Sequence, residues 1–139
     1  MKIFIPTLPH LKDLIIKKTT HWKTETLISN EFEKFDSFYD DVLISITCSG
    51  TASLEIAKRN IPQIIIYKLN FITEIILKLF IKVKYACILN IVSNKMIIPE
   101  IVNSNLTNSK LINVFKNILN NKEEQNKQIK NINHYLPSI

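Results

Sequence analysis

Short runs rich in β-branched and aromatic residues alternate along this chain with stretches in which apolar residues recur every three or four positions. The first pattern is typical of strands and the second of amphipathic helices. Strands are predicted at residues 2–6, Thr26–Ser29, 41–47, Gln63–Tyr67 and 85–89. Helices are predicted at residues 8–18, 31–39, Thr51–Lys58, 71–83 and 111–119, with one more opening at Pro99-Glu100. This alternation indicates an α/β fold in which helices flank a parallel sheet.

The centre of the chain predicts a strand, a helix and a second strand in close succession. Residues 41–47 form an apolar run of the length of a fully buried parallel strand, and Ser49-Gly50-Thr51 follows it without a spacer. The helix Thr51–Lys58 comes next, and Pro62 then leads into the strand Gln63–Tyr67. Two strands joined by one helix are typical of a βαβ unit with parallel strands.

Polar segments set the expected boundaries. Residues 90–94 are polar and are predicted to form a loop. From Asn120 onward the chain is rich in Lys, Asn and Gln, which predicts a domain over residues 1–120 and a polar tail over residues 121–139. Two alternatives remain open for this tail, which either frays or packs on a partner surface.

The charge of the chain leaves several ligand classes open. Eighteen basic and twelve acidic side chains give a net charge of +6, which suits a phosphate-bearing ligand, an anionic membrane surface or nucleic acid. Base-reading proteins use arginine for bidentate contacts and aromatic side chains for stacking. Arg59 is the single arginine and the lysines are not interleaved with aromatic residues, so no nucleic-acid partner is expected.

Cysteine and histidine spacing argues against several kinds of site. Cys48 and Cys87 stand alone without CxxC spacing, which predicts neither a zinc site nor a disulfide and fits a reducing cytoplasm. His10, His21 and His134 are scattered and lack a carboxylate at a useful spacing. We therefore expect no metal, no cofactor and no histidine-based catalysis. No run reaches the roughly 18 uninterrupted apolar residues of a membrane span.

The turn between the strand at 41–47 and the following helix is the strongest candidate site. Gly50 is the only glycine of the chain and lies at the carboxyl end of a predicted strand, where open α/β sheets bind their ligands. A helix N-terminus flanked by the hydroxyls of Ser49 and Thr51 is suited to a phosphate or diphosphate. The competing interpretation is that Ser49 or Thr51 simply caps the helix. Glu55 does not fit a capping box and is either a ribose ligand or a solvated acid.

Several separate motifs occur in the order and spacing of one known family over roughly residues 1–120. They are Phe4-Ile5-Pro6-Thr7-Leu8-Pro9-His10-Leu11, His21-Trp22, Ser49-Gly50-Thr51-Ala52-Ser53-Leu54-Glu55, Pro62, Tyr67, Lys82-Val83-Lys84-Tyr85, Asn90 and Pro99-Glu100. In these motifs the chain resembles the C-terminal part of the lipid-A-disaccharide synthases. The resemblance implies a Rossmann-like parallel sheet with flanking helices, the C-terminal half of a B-type glycosyltransferase fold truncated at its N-terminus.

The activity that the resemblance implies is that of a hexosyltransferase. Family members transfer the sugar of UDP-2,3-diacylglucosamine to 2,3-diacylglucosamine 1-phosphate and release UDP, in lipid A biosynthesis. The resemblance places the UDP diphosphate at residues 49–51, the ribose near Glu55, and the sugar side of the cleft near Asn90 and Glu100. Lys68 stands where the family usually has an arginine, so it keeps the charge but loses the planar fork. The family resemblance also implies a cytoplasmic protein in peripheral contact with the inner membrane.

Departures from the family pattern define the competing expectations. The N-terminal domain, which supplies the acceptor site and the proposed catalytic acid or base, has no counterpart, so no catalytic residue is assigned and the chain alone is expected to be inactive. Ser93-Asn94-Lys95 replaces the usual Gly-Arg pair after Asn90. The alternatives are an inactive remnant, a split-gene piece that works with a separate N-terminal partner, or a stand-alone UDP-sugar-binding module. Exposed apolar surface would favour a homo-oligomer.

Overall fold

The computed structural model describes residues 1–31, 35–68 and 84–139, which divide into two compact units, Met1–Val42 and Leu43–Ile139. The first unit contains strands β1 (Ile3–Pro6) and β2 (Thr26–Ser29) and helices α1 (Lys12–Thr19) and α2 (Phe35–Tyr39). The second contains β3 (Ser45–Thr47), α3 (Thr51–Lys58), β4 (Gln63–Tyr67), α4 (Ile88–Ser93), β5 (Glu100–Val102), α5 (Asn108–Asn120) and α6 (Lys122–Tyr135). Short 3-10 turns occupy Pro9–Leu11, Asn103–Asn105 and Leu136–Ser138.

The first unit is a parallel strand pair joined by a helix. Strands β1 and β2 run parallel with Phe4 opposite Leu27. Helix α1 has Asp13 in its first turn and lysines in its last, an arrangement that complements the helix dipole. The ring of Phe4 stacks on Phe38 of α2 with centroids 4.7 Å apart. The predictions of two strands and an intervening helix in this part of the chain are confirmed.

The second unit contains a three-stranded parallel sheet in the order β3-β4-β5. Its central strand presents Ile64 to one face and Ile65 to the other, and both are fully buried. Ile65 packs in a cluster with residues of α3, α4 and α6, whereas Ile64 packs with Ile101 and with Ile118 of α5. Helices thus cover both faces of the sheet, as in Rossmann-like folds. The predicted α/β class and the βαβ unit are confirmed.

The prediction of a fully buried strand over residues 41–47 is wrong. Only Ser45–Thr47 is a strand, and Leu43 and Ile46 are 69% and 43% exposed. Within the described residues β3 pairs with β4 on one side only, so it forms an edge of the sheet. An apolar run favours an extended backbone, but the position of the strand in the sheet determines how much of its surface is buried.

The predicted strand at 85–89 and loop at 90–94 are also wrong, because a helix, α4, occupies Ile88–Ser93. Leu89 and Asn90 face inward, and Asn94 ends the helix in the left-handed conformation with φ 50°. Short apolar runs do not distinguish strand from helix by periodicity. Here the segment is helical, and the buried Asn90 accepts hydrogen bonds from backbone N–H groups that follow α4.

Pro99-Glu100 does not open a helix, contrary to the prediction. Glu100–Val102 forms β5, which pairs in parallel with β4, and the backbone N–H of Ile65 donates to the carbonyl of Pro99 at 2.9 Å. The next α-helix, α5, begins only after Thr107, whose hydroxyl accepts a hydrogen bond from the backbone N–H of Lys110. The pairing with β4 therefore overrides the preference of proline for a helix start.

The polar tail at 121–139 is helical and packs within the second unit, so it is not frayed. Asn121 caps α6 by accepting hydrogen bonds from two backbone N–H groups of its first turn. Ile132 is fully buried against the face of the sheet that carries α3 and α4. Gln125 and Gln128 are buried too, which explains why a hydrophobic pattern did not reveal the packed side of this helix.

Part of the sequence prediction falls outside the described residues. The helix predicted at 71–83 lies outside them, and so do residues 32–34 of the helix predicted at 31–39, of which α2 is the described part. In the parts of the chain that the structure describes, none of the helices is long and apolar enough to cross a membrane.

Candidate functional site

The turn that joins β3 to α3 is built around Gly50. Its backbone has φ 126° and ψ −156°, a region open essentially to glycine alone. Gly50 is itself the N-cap residue of α3, and among the described residues no side-chain hydrogen bond caps this helix. The interpretation of Ser49 or Thr51 as an N-cap is therefore wrong. The carbonyl of Gly50 accepts a hydrogen bond from the hydroxyl of the buried Ser53 at 2.8 Å, which fixes the turn from inside.

Ser49 connects this turn to a second loop rather than to the helix. Its hydroxyl, which is half-buried, donates to the carbonyl oxygen of Ala86 at 2.6 Å. The loop that contains Ala86 leads directly into α4. Ser49 therefore sets the position of the loop that comes before α4 relative to the turn that comes before α3.

The carboxylate of Glu100 holds the other side of the same loop. Glu100 accepts hydrogen bonds from the backbone N–H groups of Ala86 at 2.7 Å and Cys87 at 2.9 Å. Thr47, the last residue of β3, and Glu100, the first residue of β5, both lie opposite Ile65 of β4. This register brings residues far apart in sequence to the same level along the strands.

Asn90 completes the network from the first turn of α4. Its side-chain N–H₂ donates to Glu100 at 2.6 Å and to the carbonyl of Ile98 at 2.7 Å. Its oxygen accepts from the backbone N–H groups of Ile97 and Ile98, both at 2.9 Å. The side chain is fully buried, so its polar atoms serve the protein itself.

Glu55 and Lys68 lie apart from this network. Glu55 is exposed on α3, one turn beyond the helix start, and Lys68 is exposed immediately after β4. Neither side chain forms an ion pair or a hydrogen bond with another residue that the structure describes. The structure thus links Ser49, Asn90 and Glu100 by way of the Ala86 loop, and places Glu55 and Lys68 outside that network.

Cys87, whose backbone N–H donates to Glu100, has a thiol with a raised pKa. Burial raises the pKa of its thiol above 9.0, and the nearby carboxylate of Glu100 raises it further, against the opposing backbone hydrogen bonds of Asn90 and Leu89. The neutral thiol packs among apolar side chains on the α3 face of the sheet. It is therefore a core residue, because nucleophilic cysteines need a low pKa and access to solvent.

The network also contains residues that the sequence analysis missed. Ala86 and Cys87 act through backbone groups, for which a sequence carries no signal. Gln63 begins β4 and is fully buried, although its residue type suggests a surface position. No group of three or more His, Cys, Asp or Glu side chains in the described ranges is arranged to hold a metal ion.

The parallel sheet, the helices on both of its faces and the glycine turn at the end of β3 define a Rossmann-like α/β half-domain of the kind found in glycosyltransferases. The sequence profile of one family, described as lipid-A-disaccharide synthetase, matches residues 2–138. The chain belongs to this family.

Individual relatives agree with this assignment. The chain is 40% identical over 86 residues to a lipid-A-disaccharide synthase of Rickettsia bellii, a match that covers 62% of the chain and 23% of the relative. It is 35% identical over 107 residues to that of Rickettsia conorii, covering 77% of the chain and 23% of the relative. It is 23% identical over 130 residues to that of Rhodospirillum centenum, covering 93% and 32%. The chain thus spans between about a quarter and a third of these relatives.

Proposed function

We propose that this chain binds the UDP part of a UDP-sugar and thereby provides the donor half-site of a lipid-A-disaccharide synthase. The observation that carries the proposal is the uncapped N-terminus of α3 behind Gly50 at the carboxyl end of β3. The first N–H groups of a helix have no partner within the helix, and the helix dipole favours an anion there. A diphosphate would satisfy both the unbonded donors and the dipole.

Gly50 suits this role for a conformational reason. Space around its α-carbon is open, since an added Cβ would meet no atom of the described residues within 4 Å. The glycine is therefore needed for its backbone angles and not to avoid a clash inside the protein. With those angles the chain passes from β3 into α3 without a capping side chain over the helix end, which leaves room for a ligand.

Glu55 and Lys68 would contact other parts of the ligand. An exposed carboxylate one turn into α3 is able to accept hydrogen bonds from both hydroxyls of a ribose. Lys68, exposed after the central strand, would bring a positive charge toward the phosphates.

Asn90 and Glu100 would act indirectly in this proposal. Their hydrogen bonds hold the loop before α4, and Ser49 is bonded to that loop through Ala86. We therefore assign them a positioning role in place of the direct sugar contact that the family resemblance implies. Ser49 would connect this loop to the Gly50 turn, because its hydroxyl donates to the carbonyl of Ala86 and its backbone precedes Gly50.

The reaction that we propose for the complete family enzyme is transfer of the sugar of UDP-2,3-diacylglucosamine to 2,3-diacylglucosamine 1-phosphate. As the bond to the sugar breaks, negative charge develops on the UDP diphosphate. Oriented N–H groups at the start of α3 would stabilise that charge, which is a common source of catalytic power. The acceptor and its activating base are not assigned to residues of this chain.

Isothermal titration of UDP into the 139-residue chain tests the proposal. We expect Glu55→Ala to weaken UDP binding because a ribose acceptor is lost. Glu123→Ala is the matched control, since Glu123 is an exposed acid in the first turn of α6, a different helix. Uridine without phosphates should bind more weakly than UDP. A folded chain that binds no UDP, or equal affinity of the Glu55 and Glu123 variants, would contradict the assignment.

An assay of disaccharide formation separates binding from transfer. We expect the chain alone to bind nucleotide without forming product, because it spans only 23% to 32% of the length of the relatives described above. Product formed by the purified chain would show that the 139 residues are a complete transferase. Binding without product agrees with a half-site that works together with a second part, or with a remnant that retains its nucleotide pocket.

Contact with an anionic membrane surface is a further part of the proposal. Both proposed substrates are lipids, and the chain carries a net charge of +6. Sedimentation with vesicles containing phosphatidylglycerol tests it: the bound fraction should fall as salt is raised, whereas no binding at low salt would contradict it.

A further inference from the structure

Gln63 is a buried amide at the first position of β4, next to the turn that carries the candidate site. Its side chain is fully buried, and it lies on the same face of the sheet as Ile65 because the two are separated by two positions along the strand. A buried glutamine must find partners for both its oxygen and its N–H₂ group. Those partners identify what Gln63 does.

The two ends of the Gln63 amide bind to opposite sides of the Gly50 turn. Its oxygen accepts a hydrogen bond from the hydroxyl of Thr47 at 3.0 Å, and Thr47 is the last residue of β3. Its N–H₂ group donates to the carbonyl of Ser53 at 2.9 Å, and Ser53 lies in the first turn of α3. One side chain therefore bridges the residue that precedes the turn and the helical turn that follows it.

Ser53 extends this bridge to the glycine itself. Its carbonyl receives the hydrogen bond from Gln63, while its hydroxyl donates to the carbonyl of Gly50 at 2.8 Å. Ser53 is 1% exposed, so both bonds lie away from solvent. Hydrogen bonds in such a setting are costly to leave unmade, and this gives the turn one preferred shape.

Gln63 is in turn held by the C-terminal helix. The backbone N–H of Gln63 donates to the side-chain oxygen of Gln128 at 2.6 Å, and the Gln128 N–H₂ group donates back to the carbonyl of Gln63 at 3.1 Å. Strand β5 begins opposite Ile65, two residues further along β4. Gln128 of α6 thus takes the place that a β5 residue would occupy beside Gln63.

We propose that Gln63 is a positioning residue for the Gly50 turn, and that Gln128 anchors it, so that the C-terminal helix fixes the geometry of the anion site. The inference rests on the proposed function in taking UDP as the ligand. It adds that Gln128 of α6, far from the turn in sequence, contributes through Gln63 to how well the turn binds a diphosphate.

The test compares two buried glutamines. Gln63→Met keeps the length of the side chain and removes both hydrogen bonds to the turn. Gln125→Met is the matched control, because Gln125 is also a buried amide, but it bonds to the end of α5 through the carbonyls of Ile118 and Leu119. Hydrogen exchange of the amides of residues 50–54 and the Kd for UDP are measured for each variant, well below its unfolding temperature.

We expect Gln63→Met to accelerate exchange at residues 50–54 and to weaken UDP binding about tenfold, while Gln125→Met lowers thermal stability without either effect. Thr47→Val is a milder variant that removes one of the two bonds and should give a smaller change in the same direction. Combined with Gln63→Met it should add nothing further, since the single bond that it breaks is already gone.

The outcomes separate this inference from the proposed function. Unchanged exchange in both Gln63→Met and Thr47→Val would overturn the inference, and so would an equal loss of UDP affinity in Gln125→Met. Should Gln63→Met fail to fold, Thr47→Val decides alone. Absence of UDP binding by the wild-type chain would contradict the proposed function, whereas the exchange data would still decide whether Gln63 fixes the turn.

Discussion

Glu100 and Asn90 are bound directly to each other, with the side-chain N–H₂ group of Asn90 2.6 Å from a carboxylate oxygen of Glu100. The two residues come from different elements, β5 and α4. Together they hold the loop before α4, to which Ser49 is bonded through Ala86. An internal hydrogen-bond network therefore holds the loop before α4, and in the proposed function the ligand binds at the start of α3.

Replacement of Glu100 by glutamine should destabilise the protein. The carboxylate accepts three hydrogen bonds, from the backbone N–H groups of Ala86 and Cys87 and from Asn90. An amide presents N–H₂ where one oxygen was, so at least one donor loses its acceptor. We expect Glu100→Gln to lower the free energy of unfolding by about 1–3 kcal/mol, measured by urea denaturation.

A matched acidic residue supplies the control for this measurement. Glu123→Gln alters an exposed acid in the first turn of α6, where the favourable interaction with the helix dipole is worth at most about 1 kcal/mol. If Glu100→Gln cost no more than Glu123→Gln, the hydrogen bonds of Glu100 would not be important for stability.

Gly50→Ala should strain the backbone without a steric clash. The φ of 126° excludes nearly all residues other than glycine, while the space around the α-carbon is open. We expect a loss of about 1–3 kcal/mol in the free energy of unfolding and weaker UDP binding, because relief of the strain would move the start of α3. Urea denaturation and titration calorimetry measure the two effects.

Asn60→Ala is the control for the glycine variant. Asn60 has φ 57°, in the left-handed region that asparagine adopts more readily than most residues other than glycine. Asn60→Ala should lower the free energy of unfolding less than Gly50→Ala does, and it should leave the affinity for UDP unchanged. Equal losses at both positions would show that the unusual angles of Gly50 have no special role.

Cys87 should make stability depend on pH in the alkaline range. Because burial raises its pKa in the folded protein above the ordinary value of 9.0, the folded state retains the proton that the unfolded chain loses. The stabilisation is complete below pH 9.0 and is lost as the pH rises through the folded-state pKa. Unfolding of wild type and Cys87→Ala from pH 7 to about 10.5 should show their difference shrinking as pH rises.

Alkylation provides an independent check on Cys87. Cys48 is exposed and Cys87 is buried. Iodoacetamide at pH 8 should modify Cys48 in the native protein and modify Cys87 only when the chain unfolds, as shown by mass spectrometry of the peptides. Equal rates at the two thiols would contradict the burial of Cys87.

Truncation of a buried side chain on α6 tests whether the C-terminal helix belongs to the core. Ile132 is fully buried and packs with Ile65 and Leu89. We expect Ile132→Ala to lower the free energy of unfolding by about 2–5 kcal/mol. Ile112→Ala on the exposed side of α5 is the control, and a similar small loss in both variants would mean that α6 contributes little to the core.

Local sequence patterns predicted a helix or strand well where residues within that element determine its conformation. The bounds of β2, α3 and β4 agree with the predictions, because β-branched runs and helical spacing act over a few residues. The Gly50 turn was predicted for the same reason: a single glycine between a strand and a helix is a local signal.

The predictions failed where distant residues determine the outcome. Asn90 was expected in a loop near the sugar, but it lies buried on α4 and bonds to the backbone N–H groups of Ile97 and Ile98, which follow that helix. Glu100 was expected at a helix start, but pairing with Ile65 makes it part of a strand. Whether these two residues reach a ligand remains a prediction, and their internal hydrogen bonds argue for a positioning role.

The amino-acid sequence by itself determined the α/β class, the order of its central elements, the glycine turn and the family. These properties depend on residue type and on short-range spacing, which a sequence records directly. Only the tertiary structure decided that hydrogen bonds link Ser49, Asn90 and Glu100 through the loop before α4, and that Gln128 on a polar helix anchors Gln63 beside the turn. Such contacts come from strand register and from backbone groups, and both are set when distant segments pack together.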